Sequence, residues 1–212
     1  MTKSLNYLPK LLNISNFLLF RPKLSTYYVE ISKFLSYILR HHPEKYGIRL
    51  NEEGYANLEH ILAILNSRFD SREITRDTLE KMIKNSDKTR FELTENYIRA
   101  YYGHSIDSKI QMSEARQVPA RLYHGTTPKA YVNILKDGLR TQERQYVHLS
   151  KDIETAKKVG KRRTNNPVIL IINTKKAKKE GIVFYKSGDM FLADYIPPKF
   201  ISILNRKDIG YP

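Results

Sequence analysis

The apolar residues of this chain keep one rhythm up to about residue 85 and a different one beyond about residue 120, and no single layer of structure satisfies both. In the first stretch Ile31, Phe34, Leu35, Ile38 and Leu39 recur at i, i+3, i+4, i+7 and i+8, the apolar stripe of an amphipathic helix. That helix must end near His42, because Pro43 disfavours helical geometry in the residue before it. Leu58, Ile61, Leu62 and Leu65 signal a second helix, and Leu79, Met82 and Ile83 a third. Arg90–Leu93 and Tyr97–Tyr101 then alternate around Thr94-Glu95-Asn96, which predicts a hairpin. Three helices followed by a two-stranded wing is the order of a winged-helix domain, a module that binds nucleic acid in some proteins and packs against protein in others.

Residues 106–119 (IDSKIQMSEARQVP) are polar and weakly periodic, as expected of a linker. Past them, short strands are predicted at Leu122–His124, Val147–Ser150, Val168–Asn173, Ile182–Tyr185, Met190–Ala193 and Phe200–Leu204. Helical stretches fall between the early ones, at Pro128–Lys136, Asp152–Gly160 and around Lys175–Lys179. The expected class is therefore α+β, with an N-terminal extension (1–29), a helical lobe (30–105), the linker and a mixed, β-rich lobe (120–212). No 20–50-residue repeat is present.

Charge narrows the partners. Thirty-seven basic residues against 22 acidic ones leave a formal charge of +15, which favours a polyanion, nucleic acid first. The absence of cysteine excludes disulfides, thiolate metal sites and a Cys nucleophile. No apolar run approaches the ~20 residues that span a bilayer, so no membrane partner is expected and the protein should work in the cytoplasm. Residues 1–29 carry no acidic residue and hold Leu11–Phe20 between Lys10 and Arg21. That composition suits a basic leader or a short extension packed on the body. Neither G-x-x-x-x-G-K-[ST] nor G-x-G-x-x-G occurs, so neither a P-loop nor a Rossmann site is supported.

The residues able to carry chemistry are dispersed. His124-Gly125-Thr126 and His148-Leu149-Ser150 place imidazoles and hydroxyls on strands, where they can hydrogen-bond a ribose or an amide. Gly125 allows close approach of either a backbone or a ligand. Arg40-His41-His42-Pro43 closes the first helix, where cations also complement the helix dipole. Arg90 opens the first wing strand and Arg144 lies in the loop Thr141–Gln145. Each arginine alone is equally well a solvated charge. Several converging on one phosphate would bind it through bidentate, permanently charged guanidinium groups.

In order along the chain, Leu39-Arg40-His41-x-Pro43, Thr89-Arg90-Phe91, Gly103-His104-Ser105, Leu122-Tyr123-His124-Gly125-Thr126, Arg144-x-x-Val147-His148-Leu149-Ser150 and Ile196-Pro197-Pro198-Lys199 resemble the RNA 2′-phosphotransferases. These are NAD-dependent enzymes that remove the internal 2′-phosphate left at a tRNA splice junction. The resemblance runs from about Ile31 to Leu204. It implies a winged-helix, RNA-binding lobe and an ADP-ribosyltransferase-like lobe with the active site in the cleft between them. It also implies a catalytic set of Arg40, His41, Arg90 and Arg144, and an NAD-binding side of His124, Gly125, Thr126, His148 and Ser150. NAD would be a co-substrate, no metal would be needed, and the substrate would be a tRNA-like RNA bearing a 2′-phosphate, acted on by a monomer.

By that resemblance the RNA 2′-phosphate attacks the anomeric carbon of the nicotinamide ribose and expels nicotinamide. The ribose 2″-hydroxyl then attacks phosphorus, which frees 2′-OH RNA and ADP-ribose 1″,2″-cyclic phosphate. A phosphomonoester is mostly dianionic at neutral pH and needs no general base, which suits Met190 standing where many ADP-ribosyltransferases carry a Glu. Two departures from the family pattern stand out: Tyr102 precedes Gly103-His104-Ser105 in place of a usual Gln, and Phe191 replaces a usual Trp. Two other functions share these features, a transferase that ADP-ribosylates terminal phosphates of nucleic acid and a non-catalytic winged-helix binder. The run Lys157-Lys158-x-x-Lys161-Arg162-Arg163 either tracks RNA backbone or is a solvated helix end.

Overall fold

The computed structural model describes residues 26–70 and 72–205. Most of the N-terminal segment in which a leader or extension was weighed, residues 1–25, lies outside the described residues. Helix α1 (Thr26–Arg40) begins within that segment's last residues and buries Ile31, Leu35, Ile38 and Leu39. A single 3₁₀ turn follows, and Gly47, at φ 63°, reverses the chain after it. Strand β1 (Tyr55–Asn57) leads straight into α2 (Leu58–Arg68), whose first turn is capped by the Asn57 side chain accepting from the His60 N–H. A reciprocal Thr75–Thr78 capping box opens α3 (Arg76–Lys84). Strands β2 (Phe91–Leu93) and β3 (Tyr97–Ala100) form the expected hairpin, and β1 pairs on the other side of β3, giving the order β1-β3-β2. Strand β1 has only three residues and too little alternation to register in the sequence. One apolar cluster, from Ile31 to Ala100, unites these elements.

The remaining elements enclose a second cluster, from Ala115 to Phe200. They are β4 (Arg121–Thr126), α4 (Pro128–Asp137), β5 (Leu139–Arg140), β6 (Val147–Leu149), α5 (Ile153–Gly160), β7 (Val168–Asn173), α6 (Thr174–Lys179), β8 (Tyr185–Ser187), β9 (Met190–Ala193), β10 (Tyr195–Ile196) and β11 (Ile201–Ile203). They pair as β11-β7-β4, β6-β9-β8 and the short ladder β10-β5. The first two sheets meet where Tyr123 and Ser150 exchange both backbone hydrogen bonds, each 2.8 Å. His124 and Ser150 thereby sit on neighbouring strands. The architecture is mixed α and β, in line with the α+β class expected.

Two segments differ from expectation. Ile182–Phe184 is not strand, because the Ile182 N–H closes the end of α6 on the Ala177 carbonyl and the Phe184 carbonyl accepts from Ala115. The polar connector 106–119 is packed down: Ile110 is 2% exposed and Ala115 3%. Helix α5 lies directly on β4. A Cβ added to Gly125 would stand 2.0 Å from the Ala156 carbonyl oxygen, so the space beside Gly125 belongs to backbone.

Candidate active site

Arg40 is the last residue of α1, and Pro43 follows the helix end three residues on. Its guanidinium packs 5.8 Å from the Phe91 ring centroid and 5.3 Å from that of Tyr102, and Nη2 donates to the Arg90 carbonyl at 3.5 Å. Nε is buried with no hydrogen-bond partner among the described residues. Burial, with Arg144 and Arg90 close by, lowers its pKa to about 10. Among the described residues no carboxylate lies within 4 Å of Arg40 or Arg144. A buried, unpaired cation is costly, and an anion supplied by a ligand offsets that cost.

His41 is fixed from both sides. Its Nδ1 lies 2.7 Å from Ser105 Oγ, and its Nε2 lies 3.1 Å from Arg144 Nη1. The same Nη1 lies 3.4 Å from Nδ1, so the guanidinium stands against the imidazole ring and disfavours a positive charge on it. Burial first, then Arg144 and Arg40, hold its pKa below the ordinary value. Ser105 is tied in turn, its N–H donating to the Arg40 carbonyl at 2.9 Å.

Arg144 arrives from the loop between β5 and β6. It donates to the Gly103 carbonyl as well as to His41. Gly103 holds φ 94°, and a Cβ there would lie 3.6 Å from Arg40 Nη1 and 3.7 Å from Arg144 Nη1. The loop is pinned by Gln145. Its backbone N–H donates to the His104 carbonyl, its side-chain Nε2 reaches the Ile106 and Ser108 carbonyls at 2.8 Å each, and its Oε1 accepts from the Ile110 N–H at 3.0 Å.

Arg90, before β2, is held by Ser86 Oγ at 2.5 Å and Asp87 Oδ1 at 3.6 Å. The turn between β8 and β9 fastens the residue before it: Thr89 donates through Oγ1 (2.6 Å) and N–H (3.2 Å) to Asp189, and Ser187 Oγ donates to the Tyr101 carbonyl. Those Thr89 bonds keep the Asp189 carboxyl below its usual range.

On the other side of Tyr102 stands His148, with ring centroids 5.8 Å apart in an edge-on contact. Burial, with Arg144 next, lowers the His148 pKa to about 4, so the ring is neutral. His124 Nδ1 donates to the His148 carbonyl at 2.9 Å, and burial lowers its pKa also. Thr126 and Ser150 are buried on the same strands. The structure thus brings together Arg40, His41 and Arg144, sets Arg90 beside Arg40, and places His148 across Tyr102. Gly125 is turned to helix packing. Reading by residue type passed over Gln145, Asp87 and Asp189, and marked Tyr102 only as a departure from the family pattern. Ser105 carried a signal in Gly103-His104-Ser105, though nothing local named His41 as its partner.

The same stretch of chain matches a family profile. The profile described as RNA 2′-phosphotransferase, Tpt1/KptA family covers residues 26–192. The chain belongs to that family. It is 46% identical over 178 residues, 84% of this chain and 96% of the relative, to a protein of Bacillus thuringiensis named "Probable RNA 2′-phosphotransferase". A protein of the same name from Acetivibrio thermocellus is 45% identical over 175 residues, 82% of this chain and 96% of its own. "Probable RNA 2′-phosphotransferase 2" of Archaeoglobus fulgidus is 40% identical over 176 residues, 83% and 80%. As a member of the RNA 2′-phosphotransferase family the chain is a transferase, and the matched span holds every site residue named above. Among the described residues no group of three or more His, Asp or Glu is arranged to hold a metal ion. No described helix is long and apolar enough to cross a membrane.

Proposed function

We propose that this protein removes an internal RNA 2′-phosphate by transferring it to NAD, with release of nicotinamide, 2′-OH RNA and ADP-ribose 1″,2″-cyclic phosphate. One observation carries the reading: Arg40 and Arg144 converge on His41 with no carboxylate within 4 Å among the described residues to neutralise them, an arrangement that favours an anion. Arg90, beside Arg40, adds a third guanidinium.

In the first step a 2′-phosphate oxygen attacks the ribose anomeric carbon, and nicotinamide leaves with the bonding electrons, giving ADP-ribosylated RNA. Met190, buried in β9, supplies no base there, and a phosphate dianion needs none. In the second step the 2″-hydroxyl attacks phosphorus and the RNA 2′-oxygen leaves, taking up a proton. Charge then accumulates on the phosphoryl oxygens, where Arg40, Arg90 and Arg144 act. His41, with Ser105 on Nδ1, hands protons at Nε2 once the phosphate displaces Arg144 from that nitrogen.

The residues assigned to NAD fit it chemically. His124 and His148 are neutral, Thr126 and Ser150 bring hydroxyls, and none of the four repels the cationic nicotinamide ring or the positive charge that grows on the ribose as nicotinamide departs. When bound, NAD supplies the electrophilic ribose carbon. Within this reading residues 30–105 form a winged-helix lobe that meets RNA, 106–119 a connector and 120–212 an ADP-ribosyltransferase-like lobe, acting as a monomer in the cytoplasm on tRNA-like substrates. The test is to incubate the protein with NAD and an RNA carrying one internal 2′-phosphate. Formation of ADP-ribose 1″,2″-cyclic phosphate is expected; ADP-ribosylated RNA as the end product marks a transferase that stops after one step, and no nicotinamide release rejects both.

A further inference from the structure

Beyond Arg40, Arg90 and Arg144 a second set of cations gathers around Asp87. Its Oδ1 faces Arg90 Nη2 at 3.6 Å and its Oδ2 faces Lys158 Nζ at 3.7 Å, so one loosely held carboxylate serves two cations from opposite halves of the chain. Lys88 is partly buried beside them. Its pKa is lowered by burial first and then by Arg162, with Arg90 and Lys158 adding to the effect. Arg162 also acts on Tyr102, and Arg163 on Arg144. Among the described residues no carboxylate lies within 4 Å of Lys88, Arg162 or Arg163.

These side chains do not ride on a loose tail. The turn after α5 continues its hydrogen bonding, with Arg162 N–H on the Val159 carbonyl (3.2 Å), Arg163 N–H on Gly160 (3.0 Å) and Thr164 N–H on Gly160 (3.3 Å). Gly160 is seated against Gly125 and Pro167, where a Cβ would meet Pro167 at 2.6 Å. A rigid element therefore holds two exposed arginines next to like charges, an arrangement that destabilises the free protein and is relieved by a polyanion.

We propose that Lys88, Lys158, Arg162 and Arg163 form an RNA-backbone subsite that takes the phosphodiesters flanking the 2′-phosphorylated nucleotide. The proposal rests on the function proposed above. Asp87 ties Lys158 to Arg90, so a ligand whose 2′-phosphate Arg90 holds and which extends over Lys158 and the turn after α5 must carry further phosphates beyond that one. A nucleic-acid strand does so, whereas NAD has a single pyrophosphate.

The experiment measures binding by fluorescence anisotropy across a salt series. The probes are an RNA of about ten nucleotides with one central 2′-phosphate and a 2′-phosphorylated dinucleotide, each phosphate contact in a single strand contributing ~0.7 to the slope of log Kd against log salt. For Lys158→Ala combined with Arg162→Ala, the slope for the longer RNA should fall by about 1.4, roughly 0.7 for each of the two contacts. Its Kd should rise about tenfold or more at low salt, well beyond the change for the dinucleotide. Arg162→Lys should retain most of the slope, since a point charge still meets a phosphate. Equal weakening of both RNAs, or an unchanged slope, overturns the proposal. Calorimetry with NAD forms a second arm: a variant that loses NAD affinity while the RNA slope holds assigns the ridge to pyrophosphate and also overturns it. Because binding is read without turnover, failure of the phosphate-removal reading shows separately, as wild-type protein that makes no cyclic phosphate.

Discussion

Arg144 Nη1 lies 3.1 Å from His41 Nε2, although 103 residues separate them in sequence. The contact joins a loop of the second half to the end of the first helix, and it adds to burial in disfavouring a charged imidazole. Nη1 is also 3.4 Å from Nδ1, which lies 2.7 Å from Ser105 Oγ, so a second proton on the ring would set like charge against the guanidinium.

His41 should therefore titrate below 6.5 in the free protein, because burial and the nearby Arg144 and Arg40 all disfavour the charged ring. A dianion bound between them reverses the sign of the local field, so added inorganic phosphate should move the titration upward. Arg144→Ala should raise it even without phosphate. NMR of the His41 ring proton checks this, and a free-protein midpoint at or above 6.5 would contradict the geometry.

Arg90 and Arg144 should matter more to the second chemical step than to the first. Attack by an existing dianion needs little activation, whereas transesterification concentrates charge on phosphorus. Removing one such contact typically costs ~10²–10³-fold in rate. Single-turnover gels of Arg90→Ala or Arg144→Ala should show a slower-migrating ADP-ribosylated RNA that wild type does not accumulate. His124→Ala should accumulate none. If the arginine variants stall before nicotinamide release, these side chains serve mainly to place the nucleophile.

Gly125→Ala is expected to destabilise the fold by about 1–3 kcal/mol or more, since overpacking against a rigid neighbour is relieved only by backbone movement. The neighbour is the Ala156 carbonyl of α5, 2.0 Å from the added carbon. Thermal melts should register the loss without NAD or RNA present. A melting temperature equal to wild type would mean that α5 slides freely on β4.

Stability should fall on acidification below pH 6.5. His104, 2% exposed with Nε2 unpartnered, has its pKa lowered to about 3 by burial, and His148 to about 4. Between about 6.5 and 4 the unfolded chain binds protons that the folded chain refuses, so the folded state loses ground as pH drops and holds its full advantage above 6.5. At pH 5 the linkage for His104 alone is ~2 kcal/mol, or ~4–8 °C in Tm for a chain of this size. Calorimetry at pH 7 and pH 5 should show that drop in wild type and a smaller one in His104→Leu. Equal slopes would mean that His104 is not held neutral.

Local pattern carried much of the fold. Ile31, Leu35, Ile38 and Leu39 mark α1 because every third or fourth residue of a helix shares a face. Asn57, Thr75 and Thr127 cap the helices they precede. Strand β1 and the irregular run Ile182–Phe184 escaped, since a three-residue strand and a backbone bond to a distant carbonyl leave no periodic trace.

The chain's own order determined the helices, the β2–β3 hairpin, most later strands and the ordered motifs that mark its family, because each depends on residues within a few positions of one another. Tertiary structure alone decided three matters: that Arg144 meets His41, that the space beside Gly125 is filled by Ala156, and that Lys158 of the second half shares Asp87 with Arg90. A hydrogen bond, a steric contact and an electrostatic field fall off over ångströms of space. Neighbours brought together by the packing of two separate apolar clusters have no counterpart in sequence spacing.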